Sequence, residues 1–355
     1  MEGVGRFAAG CLLGAWLRSA EGRYAAGGAR SSGETLRGGA LVVEGKRVAV
    51  VVPAFEEEHL VAETLRGIPD FVDRIYVVDD ASLDETAAQA RAVGDPRVEV
   101  IVHERNGGVG AAIVTGYLRA RVERIDVTCV MAADNQMDPA ELADLARPVA
   151  RGEVDYTKAN RLITGEAWTL IPHSRYLGNA VLSLLTKIAS GYWHVADSQA
   201  GYTALSLAAL DRLDLERIYR RYGFPNDMLV HLNVVSASVR DVASRPIYGV
   251  GERSGIRIRK VAPRIAWLLC KGFWWRMKEK YVIRDFHPLV FFYVLGTLMT
   301  TLGLALGLVV ASSRIFFDNE ITTATIVLVA LLLISGTQFT LFGMWFDQES
   351  NKELR

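Results

Sequence analysis

The sequence predicts an α/β chain: a mostly parallel sheet covered by helices, then basic amphipathic juxtamembrane helices, then a two-helix transmembrane hairpin. Three observations carry this. From Arg47 to Arg161, near-continuous β-branched runs alternate with amphipathic stretches, as in strands buried on both faces. Two long C-terminal segments carry no charge. Between these regions, Lys and Arg interleave with Trp, Phe and Tyr.

Residues 1–46 are rich in Gly, Ala, Arg and Ser and are expected to form a flexible leader. FAAGCLLGAWL resembles a weak signal-peptide core, but export would place the large domain opposite to the side the hairpin implies. RVAVVVPAF is the first buried strand and EEEHLVAETLRGI its helix. RIYVVDDAS is the second strand, and DETAAQARAVG a helix ending at Gly94. VEVIVHERN is the third, followed through the Gly107–Gly108 turn by the helix VGAAIVTGYLRARVE. VTCVMAADNQ is the fourth, followed by PAELADLARPVARG, whose Pro139 suits a first helical turn. VDYTKANR is the fifth. Residues 47–252 are thus expected to form one domain.

Residues 253–286 follow, with Trp267, Phe273, Trp274, Trp275 and Tyr281 set among basic residues. Interfacial helices place rings at headgroup depth and cations at phosphates; the alternative is an amphipathic helix packed on the domain. In residues 287–346, Leu289 to Ser313 and Ile321 to Phe346 are uncharged. A hydrocarbon core needs about 20 helical residues, so each suffices to span; buried core helices are the alternative. Eleven Lys or Arg between Arg245 and Asp285 face only Glu252, Glu279 and Asp285, and the hairpin loop holds only Arg314. The positive-inside bias puts the domain and the tail, 347–355, in the cytoplasm, with the hairpin in the cell membrane.

Forty basic and 40 acidic residues cancel, so no global attraction to nucleic acid follows. Cys11, Cys129 and Cys270 lie far apart, which argues against a disulfide framework or zinc site. The six histidines show no metal-ligand spacing. G-x-x-x-x-G-K-[ST] is absent, and Gly108-x-Gly110 is followed by Ile113 where a dinucleotide fingerprint needs Gly.

The strand tips carry the chemistry. Asp134 and Gln136 alternate along an extended segment and so share a side, offering two oxygen ligands to a hard divalent cation. An Asx-type turn capping the helix at Pro139, with Asp138 as N-cap, is the alternative. Asp79 and Asp80 end the second strand, and Pro53 precedes three glutamates at the first. Acidic tips on neighbouring strands repel unless a cation or donor-rich ligand lies among them. Asn106–Gly110 enters a helix whose amides can meet phosphate.

Together these residues resemble glycosyltransferase family 2 of the Rossmann-like GT-A fold, nearest the polyprenyl-phosphate glycosyltransferases such as dolichyl-phosphate mannose synthase. The family's P-A-[YF]-N-E-E corresponds to PAFEEE, with Glu56 for Asn. V-D-D-G-S-x-D-x-T corresponds to VDDASLDET, with Ala81 for Gly. NGGVGAA and Thr115–Gly116 match further motifs, and D-A-D-x-Q-D-P-P-E aligns with AADNQMDPAE. The resemblance implies that Pro53, Ala54, Phe55, Glu57 and Asp80 hold the nucleotide, with Asp79 beside them and Gly110 in the phosphate turn. It implies that Asp134 and Gln136 bind Mg2+ or Mn2+ at the donor diphosphate, although Ala132 replaces the family's first Asp. Arg161 and Arg175 would align the acceptor phosphate. DSQAGY, from Asp197, and Asp227 match acidic positions, Asp227 as a catalytic group. Lys260 or Arg257 would stand in for a later basic position.

The implied activity is inverting transfer of a sugar from a nucleotide-sugar to a polyprenyl phosphate at the cytoplasmic face. Transfer to another lipid or polysaccharide, and a nucleotide-sugar-binding pseudoenzyme suggested by Ala132, are the alternatives. Expected partners are nucleotide-sugar, lipid acceptor and membrane, not nucleic acid, with homo-oligomerisation open. Nothing in the sequence encodes the sugar, the nucleotide or the lipid length.

Overall fold

The computed structural model describes residues 34–37, 40–162, 173–245, 247 and 258–355. β1 (Glu34–Arg37) and β2 (Ala40–Val43) pair antiparallel, so the end of the segment expected to be a flexible leader carries a small hairpin. Residues 1–33 lie outside the described set.

The main sheet has seven strands in the order β5-β4-β3-β6-β8-β7-β9. These are β3 (Val48–Ala54), β4 (Arg74–Asp79), β5 (Val98–Val102), β6 (Val127–Val130), β7 (Tyr156–Asn160), β8 (Thr203–Ser206) and β9 (Val239–Ala243). The five expected strands are present as β3 to β7. Two more join them: β9 pairs parallel with β7, while β8 inserts antiparallel between β6 and β7. TALS is too short to carry a period, and only its pairing with two partners makes it a strand.

β3 is buried along its whole length, which explains its unbroken apolar run. Its side chains alternate between two cores: Val50 and Val52 face Leu65, Leu142 and Leu145, while Ala49 and Val51 face Tyr117, Leu229 and Leu232. The covering helices include α1 (Val61–Gly67), α2 (Thr86–Ala92), α3 (Val109–Val122), α4 (Leu142–Ala150), α5 (His173–Ser190), α6 (Leu207–Arg212) and α7 (Phe224–Val234). From β3 the chain steps outward to β4 and β5, then returns to β6 on the other flank of β3. Ligands of open α/β sheets bind at such a reversal, beyond the carboxyl ends of the strands. The tips of β3 and β6 therefore define the candidate crevice.

Beyond the sheet come α8 (Ile258–Lys278), a π-helical turn at Glu279–Arg284, α9 (Leu289–Phe317) and α10 (Thr323–Ser350). α9 and α10 have 29 and 28 residues, and each contains a window of mean hydropathy 2.1 that is only 11% buried. Both are long and apolar enough to cross a membrane, and their exposure does not fit core helices. They cross closely where Gly296 meets Gly336 and Thr340, small residues allowing the backbones to approach.

The basic aromatic segment divides between its two readings. Trp267 is 71% exposed, as an interfacial ring would be. Phe273 and Trp275 instead pack against Ile265, Leu269, Ala189 and Val230. Arg276 is fully buried, bonded to Asp347 at 2.8 and 2.9 Å. Of the basic residues in this segment, Arg276 is thus claimed by a partner at the far end of the hairpin rather than left for a headgroup. Asp347, expected to open the tail, belongs to α10.

Candidate active site

The loop after β3 is held by the loop after β4. Ser82 Oγ accepts the Glu56 N–H at 3.0 Å, Thr86 Oγ1 the Glu57 N–H at 2.9 Å, and Asp84 Oδ2 the Glu58 N–H at 3.3 Å. The alternation S-x-D-x-T thus supplies three acceptors to three consecutive amides. Their bonds fix Pro53–Glu58 at the rim, with Phe55 42% exposed. Ala54 is buried, and its carbonyl accepts the Asp80 N–H at 2.9 Å. Turns at all three tips use left-handed backbone: Glu56 at φ 57°, Ala81 at 62° and Asn135 at 56°. Asn tolerates that region, whereas Ala and Glu are strained in it.

Asp79 and Asp80 are both buried, yet their carboxylates turn inward. Asp79 accepts the Ser82 N–H at 3.2 Å and the Ser82 hydroxyl. Asp80 accepts the N–H groups of Gly107 and Gly108 at 2.9 and 2.7 Å and meets His103 Nδ1 at 2.8 Å. His103 Nε2 lies 2.9 Å from Thr115 Oγ1 on α3. The turn expected to meet phosphate is engaged by the protein itself. The Gly107 and Gly108 amides serve Asp80, and the Ala111 N–H donates to Arg220 O at 3.1 Å. A β-carbon on Gly110 would lie 2.7 Å from Tyr219 O, so a glycine at this position admits the Tyr219–Arg221 loop.

At the tip of β6, Asp134 and Gln136 lie in a local geometry different from the one expected. The segment is a turn, with Asn135 left-handed and the Gln136 N–H donating to Asp134 Oδ1 at 3.1 Å. Extended alternation is corrected to an Asx-type turn at the tip of β6. The separate capping role also exists: Asp138 Oδ1 accepts the Ala140 N–H at 2.9 Å. Thr64 anchors the turn from α1 by donating to Ala133 O at 3.2 Å. Across the crevice, burial and then the charges of Asp134 and Asp84 push Glu57 up to about 7.

Among the described residues, no three His, Cys, Asp or Glu side chains are grouped to hold a metal alone. The donor set fits a cation that shares its shell with substrate: one carboxylate at Asp134, one amide at Gln136, and a crowded carboxyl at Glu57 that a positive charge would relieve. Mg2+ sites of this kind commonly use one or two carboxylates and complete their shell with phosphates and water.

Beyond β7, Arg161 lies against Asp197, with Nε 2.8 Å from Oδ2 and Nη2 3.3 Å from Oδ1. Asp197 also accepts the N–H groups of Gln199 and Ala200. Although burial opposes it, Arg161 holds the Asp197 carboxyl below its usual range. Beneath them Lys158 is fully buried and donates to Ala200 O. Burial draws its ammonium down to about 8 against the charges of Asp197 and Asp241. Arg175 falls on the α5 backbone, its side chain outside the described set, as are Arg257 and the side chain of Lys260.

Asp227, on the first turn of α7, is buried and accepts the Tyr219 N–H at 2.8 Å. Burial pushes it up to about 6, and burial takes neighbouring His231 down to about 4. In this arrangement Asp227 fixes the loop that leans on Gly108 and Gly110.

Sequence reasoning missed His103, Lys158 and the clamp formed by Ser82, Asp84 and Thr86. The alternating acceptors of the clamp were the one available signal. His103 and Lys158 looked ordinary because their partners are distant in sequence.

A family model described as glycosyl transferase family 2 matches residues 49–214. An undecaprenyl-phosphate mannosyltransferase of Micrococcus luteus is 32% identical over 187 residues, covering 51% of this chain and 76% of its own length. A UDP-N-acetylglucosamine–dolichyl-phosphate N-acetylglucosaminyltransferase of Methanococcus voltae is 27% identical over 218 residues, covering 57% and 86%. Glucosyl-3-phosphoglycerate synthase from Mycobacterium tuberculosis, solved with Mn2+, UDP and phosphoglyceric acid, superposes with a TM-score of 0.48 at 18% identity, covering 65% of this chain and 78% of that one. The family model and the Micrococcus relative agree with the strand-tip motifs: the chain is a glycosyltransferase and belongs to glycosyltransferase family 2.

Proposed function

We propose that this glycosyltransferase moves a sugar from a nucleotide-sugar to a polyprenyl phosphate at the cytoplasmic face of the membrane, with inversion at the anomeric carbon. The observation that carries the reading is the position of Asp134 and Gln136 across the sheet's switch-point crevice from Glu57. The names of the Micrococcus and Methanococcus relatives support the acceptor class, and α9 and α10 support the membrane setting.

In this mechanism an acceptor phosphate oxygen attacks the anomeric carbon as the nucleoside diphosphate leaves. That oxygen is already anionic at neutral pH, so the protein's task is positioning and charge stabilisation rather than deprotonation. The clamped Pro53–Glu57 loop offers Phe55 and Glu57 to the nucleotide, while Asp79 and Asp80 fix the rim by holding its turns. Asp134 and Gln136 would hold Mg2+ or Mn2+, which supplies Lewis-acid neutralisation of the leaving diphosphate when bound. Arg161, oriented by Asp197, presents guanidinium N–H groups suited to phosphate, and Arg175 is a second candidate for that ligand. The basic residues before α9 favour a cytoplasmic domain.

The test is purified full-length protein with radiolabelled nucleotide-sugars, polyprenyl phosphate and either divalent cation or EDTA. Metal-dependent glycolipid formation, abolished by Asp134→Ala, is expected. Full activity in that variant would refute the site. Product formed without added polyprenyl phosphate would point to another acceptor, and donor binding without turnover to a pseudoenzyme. Protease accessibility in oriented vesicles tests sidedness.

A further inference from the structure

α10 has two opposed faces. Its inner face meets α9: Leu333 packs at Gly303, Gly336 at Gly296 and Thr300, and Gly343 at Tyr293. Two residues beyond Gly336, at about 100° per residue, Gln338 points away from that contact. It is exposed, and among the described residues its amide has no hydrogen-bond partner.

The surrounding face has a repeat of its own. Val327, Leu331, Ile334, Gln338, Leu341 and Trp345 follow alternating spacings of four and three residues, and all are exposed. This is the seam spacing of a left-handed helix pair. Gln338 lies close to the middle of the uncharged stretch Ile321 to Phe346. Hydrocarbon, including a polyprenyl tail, offers no hydrogen-bond partner at that depth, so the amide calls for a polar group on another helix. A primary amide is self-complementary because it both donates and accepts. A two-fold axis at this position brings Gln338 to Gln338, as a lone polar residue fixes register in a coiled-coil seam.

We propose that the outer face of α10 is the interface with a second copy of this chain, with the Gln338 amides paired across the symmetry axis. The inference rests on α9 and α10 being membrane spans.

The test is oxidative cross-linking of full-length protein in phosphatidylcholine vesicles. Single cysteines are placed on the outer face (Leu331→Cys, Ile334→Cys, Leu341→Cys) and inner face (Leu333→Cys, Thr340→Cys), each with Cys11→Ser and Cys270→Ser. Disulfide-linked dimers are expected at the outer positions and not at the inner ones. Adding Gln338→Leu to the Leu341→Cys protein should lower its dimer yield by roughly three- to twenty-fold, the range for one interhelical hydrogen bond. Equal yields on both faces, or no dimer at Ile334→Cys and Leu341→Cys in protein that floats with the vesicles, would overturn the interface alone. Failure to float would remove the membrane reading and the interface with it. In cell membranes, cross-linking only to a different protein would also overturn it.

Discussion

Arg276 grips Asp347 through two hydrogen bonds, 71 residues apart in sequence, with neither side chain exposed. Tyr281 donates to the same carboxylate at 2.8 Å, and Arg276 Nε donates to Ala189 O at 2.8 Å at the end of α5. The end of α10 is thereby fastened to the sheet domain. Asp347→Ala leaves a buried guanidinium without its counter-ion, which should cost about 3–5 kcal/mol. Thermal unfolding of the purified protein measures it. Replacing both partners by Met and Leu should recover most of the loss, and an unchanged midpoint in the single variant would count against the fastening.

Ala81 occupies φ 62° where family 2 has Gly. Removing its β-carbon relieves a left-handed strain, so Ala81→Gly should stabilise the protein by about 1 kcal/mol. Glu56→Asn, at φ 57°, should act in the same direction with a smaller effect. Melting curves without nucleotide check both.

Gly110 separates two roles for its turn. A β-carbon there would lie 2.7 Å from Tyr219 O and 2.8 Å from a carbon of Phe224. Gly110→Ala should therefore lower stability by about 1–3 kcal/mol even in donor-free protein. A variant that kept wild-type stability but lost nucleotide affinity would restore the phosphate-turn role.

Glu57 gives a pH signature. Its carboxyl is raised from 4.5 to about 7, mainly by burial, so the folded state binds this proton more tightly than the unfolded chain. The contribution to stability is fully present below pH 4.5 and is lost as pH rises to about 7, levelling off above. Denaturant titrations in EDTA should show this component, and Glu57→Gln should remove it. A variant with the wild-type slope would be inconsistent with the raised carboxyl.

Arg161 and Asp197 bear on the acceptor. Arg161→Lys cannot reproduce the guanidinium fork, and the loss of one charge-assisted bond should raise the KM for polyprenyl phosphate about tenfold or more. Donor KM should change little. An increase confined to the donor would place Arg161 on the wrong substrate.

The sequence determined much of this molecule by itself. Buried parallel strands announce themselves as unbroken β-branched runs, and polar residues stranded at their tips point to the crevice. Length without charge marks α9 and α10. Only the tertiary structure decided which polar groups bond to one another across the chain. Asp80, expected at the nucleotide, is held by Gly107, Gly108 and His103, and Arg276, one of the basic residues of the aromatic segment, is held by Asp347. Asp134 and Gln136 lie on a turn rather than on an extended segment, because one left-handed Asn135 reverses the chain between them. β8 was invisible because four residues carry no period without their neighbours. Periodicity and propensity are local properties of the chain, whereas a carboxylate's hydrogen-bond partner, or a short strand's place in a sheet, is chosen across distance by packing.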